Sequence, residues 1–382
     1  MKTIEIIPIT KPLEGEFNLP GSLSYTTRAL ALTFLTTGKV EILNAAECDD
    51  SLAMIDCLKK LKGGDCELNI GLSGRTARTV LALACISPGK KIINADEAFK
   101  RRPMGDLVIA LRSLGAEIEY LDEEGFLPVR VTSSTLNPGK VQVSGKISSQ
   151  FLSALLMISP KVGLEIEVVG ELSSKPFVDM TIEIMKDFGI EVRNQNYRNF
   201  TVKGDYVCQT YVVEGDATAA SYFIALNGLT GSKVKISGLN KNSKQGDIVF
   251  EEIMQSKERS FDMKNCLDIV PTVAILAAFT KKETHLYGLE NLEFKESNRI
   301  ESTAEELRKI GVTVETGGDF MNICGGNLHG ALIDPHGDHR IAMAFSIAGL
   351  KIPGILIQNP DVVCKSFPNF FEVLKSLKVK IL

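Results

Sequence analysis

The chain has 382 residues, of which 44% are hydrophobic and 24% charged, a balance that excludes a disordered chain and fits two or three globular domains. Its 43 basic against 47 acidic residues leave a net charge of −4, which excludes a broadly basic surface for non-specific nucleic-acid binding. The longest apolar runs, such as residues 80–86 and 273–279, fall short of the roughly 20 residues that a membrane helix needs. Eight scattered cysteines form no C-x-x-C pair and meet only four histidines, so no zinc pattern arises and reduced thiols are expected. Met-Lys-Thr-Ile-Glu-Ile-Ile-Pro at the start lacks the features of a signal peptide. A cytoplasmic protein is expected.

Residues 19–32, Leu-Pro-Gly-Ser-Leu-Ser-Tyr-Thr-Thr-Arg-Ala-Leu-Ala-Leu, end a strand at Pro20-Gly21 and predict an apolar helix from Ala29. Its unsatisfied N–H groups, with Arg28 beside them, make an anion site. Residues 51–63 place apolar side chains at helical spacing and close on Gly63. Gly71-Leu-Ser-Gly-Arg-Thr-Ala-Arg78 opens a further apolar helix. Residues 105–120 run from an amphipathic helix through Gly115 into an alternating strand. Gly suits the left-handed position after a helix, and period-2 alternation marks a half-buried strand. Ser144-Gly-Lys-Ile-Ser-Ser-Gln150 sets two hydroxyls and an amide at a third apolar helix start. One such start is commonly an ordinary cap; three of one design favour a ligand.

The helix–turn–strand unit returns at 181–192, in worn form at 247–254, clearly at 304–315, and at 371–382. Leu61, Leu114, Phe188, Met254, Ile310 and Leu377 mark equivalent places, more widely spaced than a solenoid repeat. Six α/β subdomains, three to a lobe, are expected.

No G-x-x-x-x-G-K-[ST] and no G-x-G-x-x-G after a strand occurs, so ATP and nicotinamide cofactors lose support. Basic residues instead cluster with acids or imidazole at Lys100-Arg-Arg, Lys295-Glu-Ser-Asn-Arg299, Asp338-His-Arg340 and Cys364-Lys365. Lys295 and Arg299 at a helix start oppose the helix dipole, which makes sense where an anion binds between them. The competing readings are a surface ion pair to Glu301 or Glu305, a structural turn at 338–340, and a hydrogen-bonding His339.

Nearly the whole chain resembles the 5-enolpyruvylshikimate-3-phosphate synthase family. The likeness rests on Pro20-Gly-Ser-x-Ser-x-x-x-Arg28, Arg102-Pro-x-Gly-x-Leu, Ser148-Ser-Gln-Phe-Leu and Ser174-Lys-Pro-Phe. It continues through Val213-Glu-Gly-Asp-Ala, Lys295-Glu-Ser-Asn-Arg, Asp338-His-Arg-x-Ala-Met and Lys365-Ser-Phe-Pro. The resemblance implies an α/β fold of two similar lobes, each of three βαβαββ units around buried helices. One lobe would hold residues 1–19 and 215–382, with phosphoenolpyruvate and the catalytic residues; the other, 20–214, shikimate 3-phosphate. It implies transfer of the enolpyruvyl group from phosphoenolpyruvate to the 5-hydroxyl of shikimate 3-phosphate with loss of phosphate. It implies no metal or organic cofactor, and a monomer without nucleic-acid or membrane partners is expected.

By the same resemblance Ser24, Arg28, Ser148, Ser149, Gln150, Ser174, Asn291 and Lys295 face shikimate 3-phosphate. Gly74, Arg102, Gln150, Arg299, Arg340 and Lys365 cradle phosphoenolpyruvate. Asp268 faces the 5-hydroxyl, Glu296 carries a proton, and His339 joins the catalytic set. The chain departs from the pattern at Leu23 (Lys in the family), Leu72 and Arg75 (Asn and Thr), Phe177 (Tyr) and Asn298 (Asp). Arg75 is expected to supply the charge that Leu23 lacks. Two other readings accompany this one: an enolpyruvyl transferase with another acceptor, and a weakened anion-binding protein.

Overall fold

Three sheets share one topology, and the sequence pattern explains it. In the first, strand Cys66–Asn69 runs parallel to Lys91–Asn94, which pairs antiparallel with Val129–Thr132, itself antiparallel to Glu117–Tyr120. Helix Gly74–Ala84 joins the parallel pair and helix Gly105–Ser113 leads to the edge strand. The order is βαβαββ. The same order recurs with strands Gly139–Ser144, Leu164–Val169, Glu191–Gln195 and Asn199–Lys203 around helices Ser149–Val162 and Lys175–Asp187. It recurs again with Ser260–Asp262, Thr284–Tyr287, Thr313–Thr316 and Phe320–Cys324 around helices Val270–Ala278 and Arg299–Lys309.

A fourth sheet is assembled from distant segments. Leu332–Ile333 lies parallel to Ile355–Gln358 across helix His339–Gly349, and strand Thr3–Ile6 fills the antiparallel place beside Ile355–Gln358. Ile6 in turn bridges to Ile381. Two short parallel pairs, Glu41–Leu43 with Thr210–Val212 and Glu14–Asn18 with Lys233–Ser237, complete the set.

The computed structural model describes residues 2–132 and 135–382. The chain divides into two compact units, Met1–Pro20 with Glu214–Leu382, and Gly21–Val213. Each unit has three mutually touching buried helices at its centre. In Gly21–Val213 they are Leu23–Leu35, Gly74–Ala84 and Ser149–Val162; in the other unit they are Ala217–Thr230, Val270–Ala278 and His339–Gly349. Helices that are apolar all round belong inside, and the amphipathic helices and sheets surround them. No helix of the described residues is long and apolar enough to cross a membrane. All eight cysteines are free thiols, and burial pushes Cys85 up to about 12, an inert core group.

Two expectations need correction. The first helix begins at Leu23, not Ala29, because Ser24, Thr26 and Thr27 are buried at its start and the polar residues extend the helix instead of preceding it. Arg28 therefore projects from within a helix. The worn copy at 247–254 is a 3-10 turn, Gly246–Val249, followed by the short helix Phe250–Gln255, and Met254 is only half-buried. Its C-cap is Ser256 in an extended conformation, where the copies at 105–120, 181–192, 304–315 and 371–382 turn through Gly115, Gly189, Gly311 and Lys378 at positive φ. The copy at 51–63 ends instead on a right-handed Lys62, and Gly63 does not take the left-handed conformation expected of it.

Candidate active site

In the unit containing Glu214–Leu382 the candidate residues stand at helix N-termini and in short 3-10 turns. Asn298 caps helix Arg299–Lys309, its side chain accepting the Glu301 N–H at 3.4 Å. Arg299 is 1% exposed and donates to three acids: Asp338 Oδ2 at 2.7 Å, Glu296 Oε2 at 2.8 Å and Asp268 Oδ1 at 3.0 Å. Burial works against its charge, but Asp338, Glu296 and Asp268 outweigh it and drive the guanidinium well above its ordinary range. The surface-pair alternative, Arg299 to Glu301 or Glu305, is overturned by this burial.

Asp338 caps helix His339–Gly349 by accepting the Arg340 N–H at 2.9 Å. From the same turn Arg340 reaches Asp268 Oδ2 at 3.2 Å, and Lys295 Nζ lies 3.7 Å from Asp268 Oδ1. Asp268 therefore stands among three cations. The helix that follows it, Val270–Ala278, has Ile269 at its cap and no side-chain capping bond. The carboxylate is committed to cations, not to a cap. Lys365, 7% exposed, lies 3.5 Å from Glu296 Oε1. His339 is 4% exposed; burial first and the Arg340 charge second hold its imidazole well below the usual range, so it is neutral. Asn291 lies in the turn Glu290–Leu292.

In Gly21–Val213 the chemistry differs. Arg28, 4% exposed, donates to Thr181 Oγ1 at 2.8 Å and to the Ser24 and Phe177 carbonyls at 2.9 Å each. Among the described residues no carboxylate pairs with it. Burial first, and then the charge of Arg75, lower its guanidinium to about 10. A buried cation without a counter-ion is prepared for an anion. Arg75 donates to Ser24 Oγ at 3.2 Å and lies 4.0 Å from the buried Asp50 carboxylate. Leu23 packs with Ala46 and Cys48 in a small apolar cluster.

Gly74 opens helix Gly74–Ala84, capped by the Ser73 hydroxyl. A Cβ there would lie 2.9 Å from Arg102 Nη2 and 3.0 Å from Arg78 Nη1, and both guanidinium groups stack on Phe99, at 5.1 and 5.0 Å from its centroid. Ser148 caps helix Ser149–Val162 by accepting the Gln150 N–H at 3.2 Å, and Ser149 is buried. Ser174, at φ +53°, immediately precedes helix Lys175–Asp187. Phe177 contributes its carbonyl to Arg28.

Sequence reasoning missed Arg78, Asp50 and Phe99, and did not anticipate that Asp338 underlies Arg299. Arg78 had a readable signal, one helical turn after Gly74; Asp50 had none, and the Asp338-His-Arg340 cluster gave no sign of which cation Asp338 meets. Glu305, Glu306 and His336 bring ligand atoms within 4.8 Å of one another, but Lys309 Nζ sits 2.7 Å from Glu306 Oε1, so an ammonium already serves that cluster.

The model of the family described as EPSP synthase (3-phosphoshikimate 1-carboxyvinyltransferase) matches residues 7–259 and 251–374. The chain belongs to the EPSP synthase family. It is 38% identical to the 3-phosphoshikimate 1-carboxyvinyltransferase of Sulfurovum sp. (strain NBC37-1), over 99% of each chain. It is 37% identical to that of Mannheimia haemolytica over the whole of both. EPSP synthase of Acinetobacter baumannii has the same fold, at TM-score 0.82 and 24% identity over the full length of both chains.

Proposed function

We propose that this chain transfers the enolpyruvyl group of phosphoenolpyruvate to the 5-hydroxyl of shikimate 3-phosphate and releases phosphate. One observation supports it above the others: a single carboxylate, Asp268, contacts Arg299 and Arg340 within 3.2 Å and Lys295 at 3.7 Å. Such an arrangement provides a proton acceptor ringed by cations for anionic substrates. In this reading the acceptor's O–H proton passes to Asp268 as its oxygen bonds to C2 of phosphoenolpyruvate. Glu296, held by Arg299 and Lys365, delivers a proton to C3. Phosphate then leaves the tetrahedral carbon and C3 returns a proton. Arg340, Arg299 and Lys365 balance the charge that builds on the phosphate and carboxylate.

His339, buried and neutral, serves as a hydrogen-bonding group and not as an acid. Arg28, Ser24, Ser148, Ser149, Gln150 and Ser174 bind shikimate 3-phosphate, and the guanidinium of Arg28, lacking an internal acid, binds its anionic groups. Gly74 and Arg102 bind phosphoenolpyruvate, with Arg102 braced by Phe99.

Phosphate release from phosphoenolpyruvate, measured with and without shikimate 3-phosphate, tests the reading. Turnover that requires shikimate 3-phosphate is expected. Asp268→Asn should lower kcat by at least about a hundredfold. Binding without turnover would favour an anion-binding protein, and turnover only with another hydroxyl compound a different acceptor.

A further inference from the structure

The turn Gly246–Val249 has no part in the chemistry above, yet it packs against the turn Leu267–Ile269 that carries Asp268. It is firmly placed. Gln245 accepts the Ala217 N–H at 3.0 Å, donates to the Gly215 carbonyl at 2.8 Å and donates to Glu214 at 2.8 Å. On this turn Asp247 is 8% exposed, and its only hydrogen-bond donor among the described residues is the Thr218 hydroxyl. A buried carboxyl with a single neutral donor is costly to keep ionised.

Three charged groups and one hydroxyl face it from the elements packed around it. Asp216 and Thr218 come from the start of helix Ala217–Thr230, Asp268 from its own turn, and Arg340 from helix His339–Gly349. Cys266 also faces it; burial and the Asp247 charge push that thiol up. Tyr222 stands beyond Arg340 with its phenol pushed up to about 12 by burial. Asp247 itself is pushed up to about 7, by burial first and then by the charge of Asp268, with Arg340 opposing.

We propose that Asp247 is a positioning residue for the reaction: a second carboxylate set beside Asp268, whose charge makes Asp268 readier to take the acceptor's hydroxyl proton. The inference rests on the reading of Asp268 as the base. Arg299, Arg340 and Lys295 favour the charged form of Asp268 and oppose its protonation. An anion in the neighbouring turn works against them. When Asp268 takes the proton its negative charge disappears, and the repulsion between the two carboxylates disappears with it. At low pH the proton on Asp247 removes this help and leaves Asp268 to the three cations.

The test compares the full chain with Asp247→Asn, which keeps the shape and can still accept from Thr218. Steady-state phosphate release is read from about pH 5.5 to pH 9. Wild-type kcat is expected to rise with pH through about 7. Asp247→Asn should lack that limb and lose about tenfold in kcat, while both KM values stay within about twofold. A loss of KM alone, or a pH profile that superimposes on the wild type, overturns the proposal.

Thr218→Val serves where the first variant does not fold. Removing the only donor should shift the acid limb to higher pH, by about half a unit; an unmoved limb overturns the inference. A wild type without turnover defeats the reading of function and this inference together. Normal wild-type turnover with an unchanged variant profile defeats the inference alone.

Discussion

Arg299 Nε lies 2.7 Å from Asp338 Oδ2, and neither side chain is more than 1% exposed. Removing one member of a buried pair strands the other charge away from water, which costs about 3–5 kcal/mol. Asp338→Ala also removes the cap of helix His339–Gly349. Urea unfolding should show a loss of at least about 3 kcal/mol, with part of it returned by Asp338→Asn, since Asn caps about as well as Asp. Equal midpoints for Asp338→Ala and the wild type would refute this.

A methyl group at Gly74 meets Arg102 Nη2 at 2.9 Å and Arg78 Nη1 at 3.0 Å. Both guanidinium groups are also held against Phe99, so they cannot yield without leaving the ring. Gly74→Ala should therefore leave stability within about 1 kcal/mol, since Ala suits a helix better than Gly. It should raise the KM for phosphoenolpyruvate by about tenfold. Steady-state kinetics beside thermal melting separates the two effects.

Compensation for Leu23 by Arg75 is open to a direct test. The Arg75 guanidinium reaches the hydroxyl of Ser24, the residue next to Leu23, and lies 4.0 Å from Asp50. Arg75→Ala should raise the KM for shikimate 3-phosphate by about tenfold. Leu23→Lys alone should gain less than about threefold, because it buries an ammonium among Ala46 and Cys48. The double variant should recover much of the loss of Arg75→Ala, a coupling that a double-mutant cycle measures. Additive effects of the two substitutions would show that the positions are unrelated.

The neutral, buried His339 makes acid sensitivity testable. Its folded-state pKa lies well below the ordinary 6.5. Below about pH 6.5 the unfolded chain binds a proton there that the folded chain does not, so this contribution to stability is present above that pH and lost as pH falls. His339→Gln should flatten the fall in melting temperature between about pH 7 and pH 5. A variant curve parallel to the wild type would show that another group governs it.

The repeated fold was legible because its rule is local. An apolar stripe followed by a glycine that must turn left-handed can be read at once, and Gly115 and Gly311 have φ of +93° and +88°. The last copy uses Lys378 at φ +69°, which spacing shows although the residue type does not. The start of the first helix was misread because Ser24, Thr26 and Thr27 look like capping residues, while burial makes them interior. In the candidate site the cations stood out as runs along the chain. Which acid meets which cation did not. Asp338 meets Arg299 across 39 positions and Asp268 meets Arg340 across 72, distances that no local pattern encodes. Asp50 and Asp247 sit in ordinary-looking helix and turn sequences, and only packing shows what they touch.

Strand Thr3–Ile6 has its partner in Ile355–Gln358, and this orders events on the ribosome. The segment is made before its partner, and its hydrogen-bonding groups stay unmatched until Ile355–Gln358 has been translated. Gly21–Val213 is continuous and can fold meanwhile, as domains do during synthesis. A single exposed strand waiting that long invites pairing with another nascent chain. A charge within such a strand, as Glu5 is here, disfavours that pairing during the interval when the partner does not yet exist.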